Sequence, residues 1–175
     1  ILLLTTSVLT AFILSNRSSD STMEVFIKNQ NYIFNYNFVK GYIKHDDIIY
    51  SLVSHKDNRM IDITTGDIDC DGTDNILILE GKKNSKFANK LIVYDVSYIS
   101  DKLQIHKRYE NHIGTIRPWK IEVCEIDHDK EPEIFMIVNK PTQESSEFEN
   151  RPFFFNYKEG KLVKKWTGSE LRAPF

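Results

Sequence analysis

The feature that most constrains this chain is an acidic loop that occurs twice and runs each time straight into an apolar strand pattern. The segment Gly66-Asp67-Ile68-Asp69-Cys70-Asp71-Gly72-Thr73-Asp74-Asn75-Ile76-Leu77-Ile78-Leu79 aligns with Cys124-Glu125-Ile126-Asp127-His128-Asp129-Lys130-Glu131-Pro132-Glu133-Ile134-Phe135-Met136-Ile137. The offset from Asp67 to Glu125 is 58 residues. A supersecondary unit that recurs at a fixed period cannot bury its apolar faces alone, so it stacks on its neighbours. The runs Ile76–Leu79 and Ile134–Val138 are continuously apolar, as expected of strands covered on both faces.

A hairpin pattern recurs with nearly the same period. It begins at Ile33-Phe34-Asn35-Tyr36, at Ile92-Val93-Tyr94-Asp95 and at Phe154-Phe155-Asn156-Tyr157, at offsets of 59 and 62 residues. The returning strands are Tyr42–Lys44, Lys102–His106 and Lys161–Trp166, and Gly160 suits a turn that needs positive φ. The middle unit therefore predicts strands at Met60–Thr64, Ile76–Leu79, Lys90–Val96 and Lys102–Arg108. The last unit predicts them at Ile116–Val123, Ile134–Val138, Pro152–Tyr157 and Lys161–Trp166. Aromatic residues make up 12% of the chain, and no amphipathic helix follows Leu14, which agrees with a strand-rich fold.

Four short strands per unit predict an all-β chain, a β-propeller-like repeat of four-stranded antiparallel blades. The units run over about residues 24–58, 59–115 and 116–175. Propellers close with about four to eight blades, so this length predicts an incomplete one.

Residues Ile1–Leu14 contain ten apolar residues in fourteen, with no charge before Arg17. The run is shorter than the roughly 20 residues of a spanning helix and predicts a targeting segment over residues 1–15, a signal peptide or a signal-anchor. A polar linker over residues 16–23 follows. The expected location of the rest is extracytoplasmic, secreted or anchored, with the membrane reached only through this segment. Cys70 and Cys124 are the only cysteines, and their separation is compatible with one disulfide or two free thiols.

The chemical centre is the loop Asp67, Asp69, Asp71, Gly72, Asn75. Calcium takes six to eight oxygens from a flexible set. Alternate carboxylates of a tight loop converge on one point, Gly72 permits the reversal, and the Thr73 carbonyl and Asn75 side chain complete a shell. An EF-hand does not fit: counting from Asp67, position 12 is Ile78, where a bidentate Glu is required, and a strand pattern follows. The second loop offers Glu125, Asp127, Asp129, Glu131 and Glu133, with Lys130 standing where the first has Gly72. Calcium is thus the expected ion. Two other readings remain at this point: acidic turns satisfied by local side-chain to backbone hydrogen bonds, and catalytic carboxylates. Equivalent loops in a repeat suit architecture better than a unique active site.

The loop Asp-x-Asp-x-Asp-Gly-x-x-Asn at Asp67–Asn75, leading into an apolar strand and repeated after about 60 residues, resembles the FG-GAP/VCBS type of repeat. Such repeats form the calcium-loop blades of integrin α-chain propellers and of many bacterial surface proteins. The resemblance covers about residues 60–166. The stretches Ile116–Lys120, Arg151–Phe153 and Trp166–Ser169 are also similar to bacterial secreted proteins carrying such repeats. The resemblance implies calcium ligation that stabilises blades.

Other residues are less informative. No His pairing or nucleophile signature is present. Trp119 and Trp166 suit blade core or a stacking platform for a sugar or peptide. Arg117, Arg151 and Arg172 lie near unit boundaries, where they either pair with acidic loops or stay solvated. With 23 basic and 25 acidic residues and a net charge of −2, nothing favours nucleic acid. The expected function is a non-catalytic calcium-binding module that binds or scaffolds a surface protein or glycan. The alternative is part of a secreted glycan-active hydrolase or lyase.

Overall fold

The computed structural model of the chain describes residues 20–100, 102–142 and 146–168. The segment expected to be a targeting segment and residues 16–19 of the expected linker lie outside them, as does Arg172. The described residues form twelve β-strands and one short 3₁₀ turn, with no α-helix.

The strands fall into three antiparallel four-stranded sheets, each a meander in sequence order. The first contains β1 (Ser21–Ile27), β2 (Gln30–Asn37), β3 (Tyr42–His45) and β4 (Ile48–Ser51). The second contains β5 (Asn58–Gly66), β6 (Asn75–Lys82), β7 (Lys90–Ile99) and β8 (Lys102–His112). The third contains β9 (Pro118–Cys124), β10 (Glu133–Lys140), β11 (Glu149–Lys158) and β12 (Lys161–Thr167). Among the described residues these sheets do not close into a ring.

Alternation of side chains explains why the middle strands read as unbroken apolar runs. Successive residues of a strand point to opposite faces. On β6, Ile76 and Ile78 enter a core shared with Val25, Phe34 and Ile43 of the first sheet. Leu77 and Leu79 enter a second core shared with Ile121, Ile134 and Met136 of the third. The second sheet is covered on both sides, and a strand in that position has no polar face to spare. The first strands of the sheets also meet. Asp62 on β5 accepts a hydrogen bond from the Ile121 amide on β9 at 2.9 Å, and Thr65 donates to the Glu24 carbonyl on β1 at 3.0 Å.

Among the described residues the third sheet buries only one face, so the coverage on both faces expected for Ile134–Val138 is not found. Ile134, Met136, Val138 and Phe153 face the second core. Their neighbours Phe135 and Phe154 form a tilted ring pair at 5.1 Å, and Phe154 meets Trp166 at 5.8 Å, so an aromatic row crosses the far face.

The strand expectations hold for the middle and last units, with two local differences and one reassignment. Strand β1 starts at Ser21, inside the segment read as linker, because Ser21 and Thr22 pair with Tyr36 and Asn35. Strand β9 starts only at Pro118, because Gly114–Ile116 form a 3₁₀ turn closed by Arg117 in the left-handed region at φ 51°. The reassignment concerns the first unit, whose Phe34 and Ile43 lie on its second and third strands. The hairpins equated with it occupy the third and fourth strands of the other units. Here β1 and β2 are joined by the tight turn Lys28-Asn29, with φ of 45° and 69°, where the others carry an acidic loop. The 59-residue offset therefore matched different hairpins of similar pattern.

Candidate metal centre

Both acidic loops join the first and second strands of a sheet, and their backbones follow the same path. The fourth residue is left-handed in each, Cys70 at φ 59° and His128 at φ 63°. The sixth is left-handed as well, Gly72 at φ 84° and Lys130 at φ 68°. Local hydrogen bonds hold this path. Asp67 accepts the amides of Asp71 (3.0 Å) and Gly72 (2.8 Å), and Asp71 accepts that of Thr73 (2.9 Å). In the second loop Glu125 accepts the amides of His128 and Lys130, both at 2.7 Å, and Asp129 accepts that of Glu131 at 2.8 Å. The ninth residue closes each loop from the start of the next strand. Asn75 Oδ1 accepts the Ile68 amide at 3.2 Å, and Glu133 Oε2 accepts the Ile126 amide at 3.0 Å.

Carboxylate oxygens of Asp67, Asp69 and Asp71 lie within 4.8 Å of one another, as do those of Glu125, Asp127 and Glu133. Both clusters could hold a metal ion. In the first, Asp69 Oδ1 is shielded from solvent and has no hydrogen-bond partner. An oxygen in that condition is costly to bury, and a cation in the loop would satisfy it. The donor set is all oxygen, which suits a hard divalent ion.

Two basic residues and one acid complete the geometry, and none of the three was anticipated. On β8 the register slips at Val93/Tyr94, whose partners are Tyr109 and Lys107, so Arg108 bulges out of the pairing. On β12 the register slips at Phe154/Phe155, whose partners are Trp166 and Lys164, so Lys165 bulges out at the corresponding place. A bulge re-aims the side chain it carries. Arg108 forms ion pairs with Asp69 and, at 2.6 Å, with Asp95 on β7. Burial works against its charge, but the bonds from Asp69 and Asp95 outweigh it and raise its pKa above the ordinary arginine value. Lys165 Nζ lies 2.6 Å from Asp127, 3.2 Å from Asp129 and 2.5 Å from Glu133. Its pKa is raised by the bonds to Asp127 and Glu133.

The remaining expected residues are distributed around this frame. Thr73 forms an isolated bridge with Ile27 on β1, so the first loop is stapled to the first sheet. Asp74 strengthens the staple by accepting the Phe26 amide at 2.8 Å, and burial raises its pKa. Asn75 donates to Asp95 at 3.1 Å, whereas in the second loop the amide and carboxylate are exchanged, Asn156 donating to Glu133 at 3.3 Å. Glu131 turns away to an ion pair with Lys158 at 2.6 Å. The Lys130 carbonyl accepts a long hydrogen bond from the Cys70 thiol at 3.5 Å, which links the two loops. Cys70 and Cys124 are both free thiols. A cavity of about 450 Å³ lined by Asp69, Arg108, Tyr157, Glu159 and Gly160 separates the first loop from the β11–β12 turn.

The arginines noted near unit boundaries, read as pairing with acidic loops or as solvated, have other partners where they are described. Arg117 is sandwiched between the Phe87 and Phe148 rings, 4.4 Å from each centroid, and Arg151 pairs with Glu149 at 2.5 Å. Trp119 packs into the second core and donates to Asn150 at 3.2 Å. Trp166 belongs to the aromatic row on the opposite face, so the two indoles do not form one platform. No protein-family profile matches the chain, and no curated protein matches it.

Proposed function

We propose that this chain is a non-catalytic, extracytoplasmic β-repeat module that binds a calcium ion in its first acidic loop and serves in binding or scaffolding at a cell surface. The single observation that carries the metal is Asp69 Oδ1, buried without a partner beside the converging carboxylates of Asp67 and Asp71. Asp67, Asp69 and Asp71 would supply charged ligands, while Asn75, at the head of β6, holds the loop closed through the Ile68 amide and Asp95. The ion would draw together the carboxylates at the β5–β6 crossing and stiffen the staple onto the first sheet. The extracytoplasmic location rests on the apolar run Ile1–Leu14, and a propeller-like arrangement is favoured by the face-to-face sheets with neighbouring first strands.

Thermal denaturation with and without calcium tests the reading. Calcium at about 100 times its dissociation constant stabilises by about 2.7 kcal/mol. That is a rise in Tm of roughly 5–10 °C for a domain of this size. Asp71→Asn should remove most of the rise. A wild-type Tm that is the same in calcium and in chelator refutes the metal.

A further inference from the structure

The two loops share a backbone and differ in what neutralises them. Lys165 brings three N–H donors on one nitrogen, and the second loop presents three carboxylates around it, Asp127, Asp129 and Glu133, at 2.5–3.2 Å. Glu133 is fully buried, and its carboxylate is held by this ammonium together with the Ile126 amide and the Asn156 side chain. Arg108 reaches the first loop from the equivalent bulge but spreads its planar fork over Asp69 and Asp95. Among the described residues Asp67 and Asp71 form no ion pair, and Asp69 Oδ1 stays unpartnered. The second loop therefore has one chain cation shared by three of its carboxylates, whereas in the first loop Arg108 engages Asp69 alone.

We infer that Lys165 is the resident cation of the second loop, standing where a divalent ion would sit, so that this loop closes without metal while the first responds to calcium. The statement about the first loop rests on the proposed function; the statement about Lys165 does not. The bulge is the device that makes the exchange possible. A regular β12 would alternate Lys165 into the strand's two-residue pattern, whereas the extra residue lets its side chain leave the ladder toward the β9–β10 loop. The same bulge on β8 shows that either basic side chain is accommodated at this position.

The test is residue-resolved amide hydrogen exchange on the full chain in chelator and in millimolar calcium. In wild type, the His128 and Lys130 amides should be equally protected in both, because Glu125 holds them in a loop already braced by Lys165. In Lys165→Met their exchange in chelator should accelerate about tenfold or more, as a local opening becomes accessible, and calcium should restore protection. Lys165→Arg should keep protection in chelator. Calcium-dependent protection of the wild-type His128 and Lys130 amides overturns the inference. So does Lys165→Met that stays protected in chelator or is not rescued by calcium. Should the methionine variant fail to fold, loss of protection in Lys165→Arg still decides against it. The Asp71 and Gly72 amides report separately: if they ignore calcium while the second loop behaves as stated, the calcium reading falls and the role of Lys165 stands.

Discussion

Exchanging the residues at the sixth position of the two loops isolates the cost of a left-handed backbone. Gly72 and Lys130 occupy equivalent places with φ of 84° and 68°. A Cβ built on Gly72 meets nothing within 4 Å, so steric crowding by neighbours plays no part. Lys130 is exposed, and its N–H is held by Glu125 whatever the side chain. An L-residue in this region costs about 1–2 kcal/mol, and glycine gives back about 0.5–1 kcal/mol through the greater entropy of its unfolded chain. Lys130→Gly should therefore stabilise by about 0.5–1 kcal/mol, and Gly72→Ala should destabilise by about the same amount. At about 2–4 °C per kcal/mol for a domain of this size, the shifts are a few degrees of opposite sign. Urea denaturation in chelator, with the m-value checked for constancy, gives both values free of metal. Shifts of the same sign, or a destabilised Lys130→Gly, would show that the two loops do not share the backbone path described above.

Glu80 is fully buried and accepts hydrogen bonds from the Ser54 amide, the Ser54 hydroxyl at 2.6 Å and Asn58 Nδ2 at 2.7 Å. Glu80→Ala strands these donors and should cost about 3 kcal/mol or more, read as a lowered urea midpoint. Glu110 has its pKa pulled down to about 2 by hydrogen bonds from Lys107 and Lys90. A carboxylate depressed in the folded state contributes stability above its unfolded value of about 4.3. That contribution is lost as pH falls through about 2. Glu110→Gln should flatten this part of the acid-unfolding curve, and an unchanged slope between those pH values counts against the pair. Met136 is fully buried in the core between the second and third sheets. Met136→Ala should cost about 2–5 kcal/mol, and a loss below about 1 kcal/mol would mean that the two sheets do not share that core.

What the sequence displayed and what it concealed follow from the range of the forces involved. The acidic loops were legible because their geometry is local: Asp67 and Glu125 bond amides three to five residues on, and the spacing of carboxylates is written directly in the chain. The double coverage of the second sheet agreed with the continuous run Ile76–Leu79, but the equally continuous run Ile134–Val138 lies on a sheet that buries one face, so the run alone did not settle coverage. The bulge cations were hidden for the opposite reason to the loops. Arg108 and Lys165 lie 39 and 32 residues from Asp69 and Glu133, and their direction is set by a one-residue register slip that no side-chain pattern announces. Read as regular strands, Lys102–Arg108 and Lys161–Trp166 put alternating basic residues in solvent. The arginines that did attract notice, Arg117 and Arg151, spend their charge on ring faces and on Glu149. The misaligned first hairpin has the same root, since Ile33–Tyr36 and Ile92–Asp95 share an apolar and aromatic pattern although the first lies on a half-covered strand and the second on one covered on both sides. Only the loop between the first two strands distinguishes one strand number from another, and the first sheet has the turn Lys28-Asn29 there. A unit without the loop therefore keeps its four strands but loses its sequence register. The same dependence makes the cation at each loop, metal or side chain, a property of strands far away in sequence.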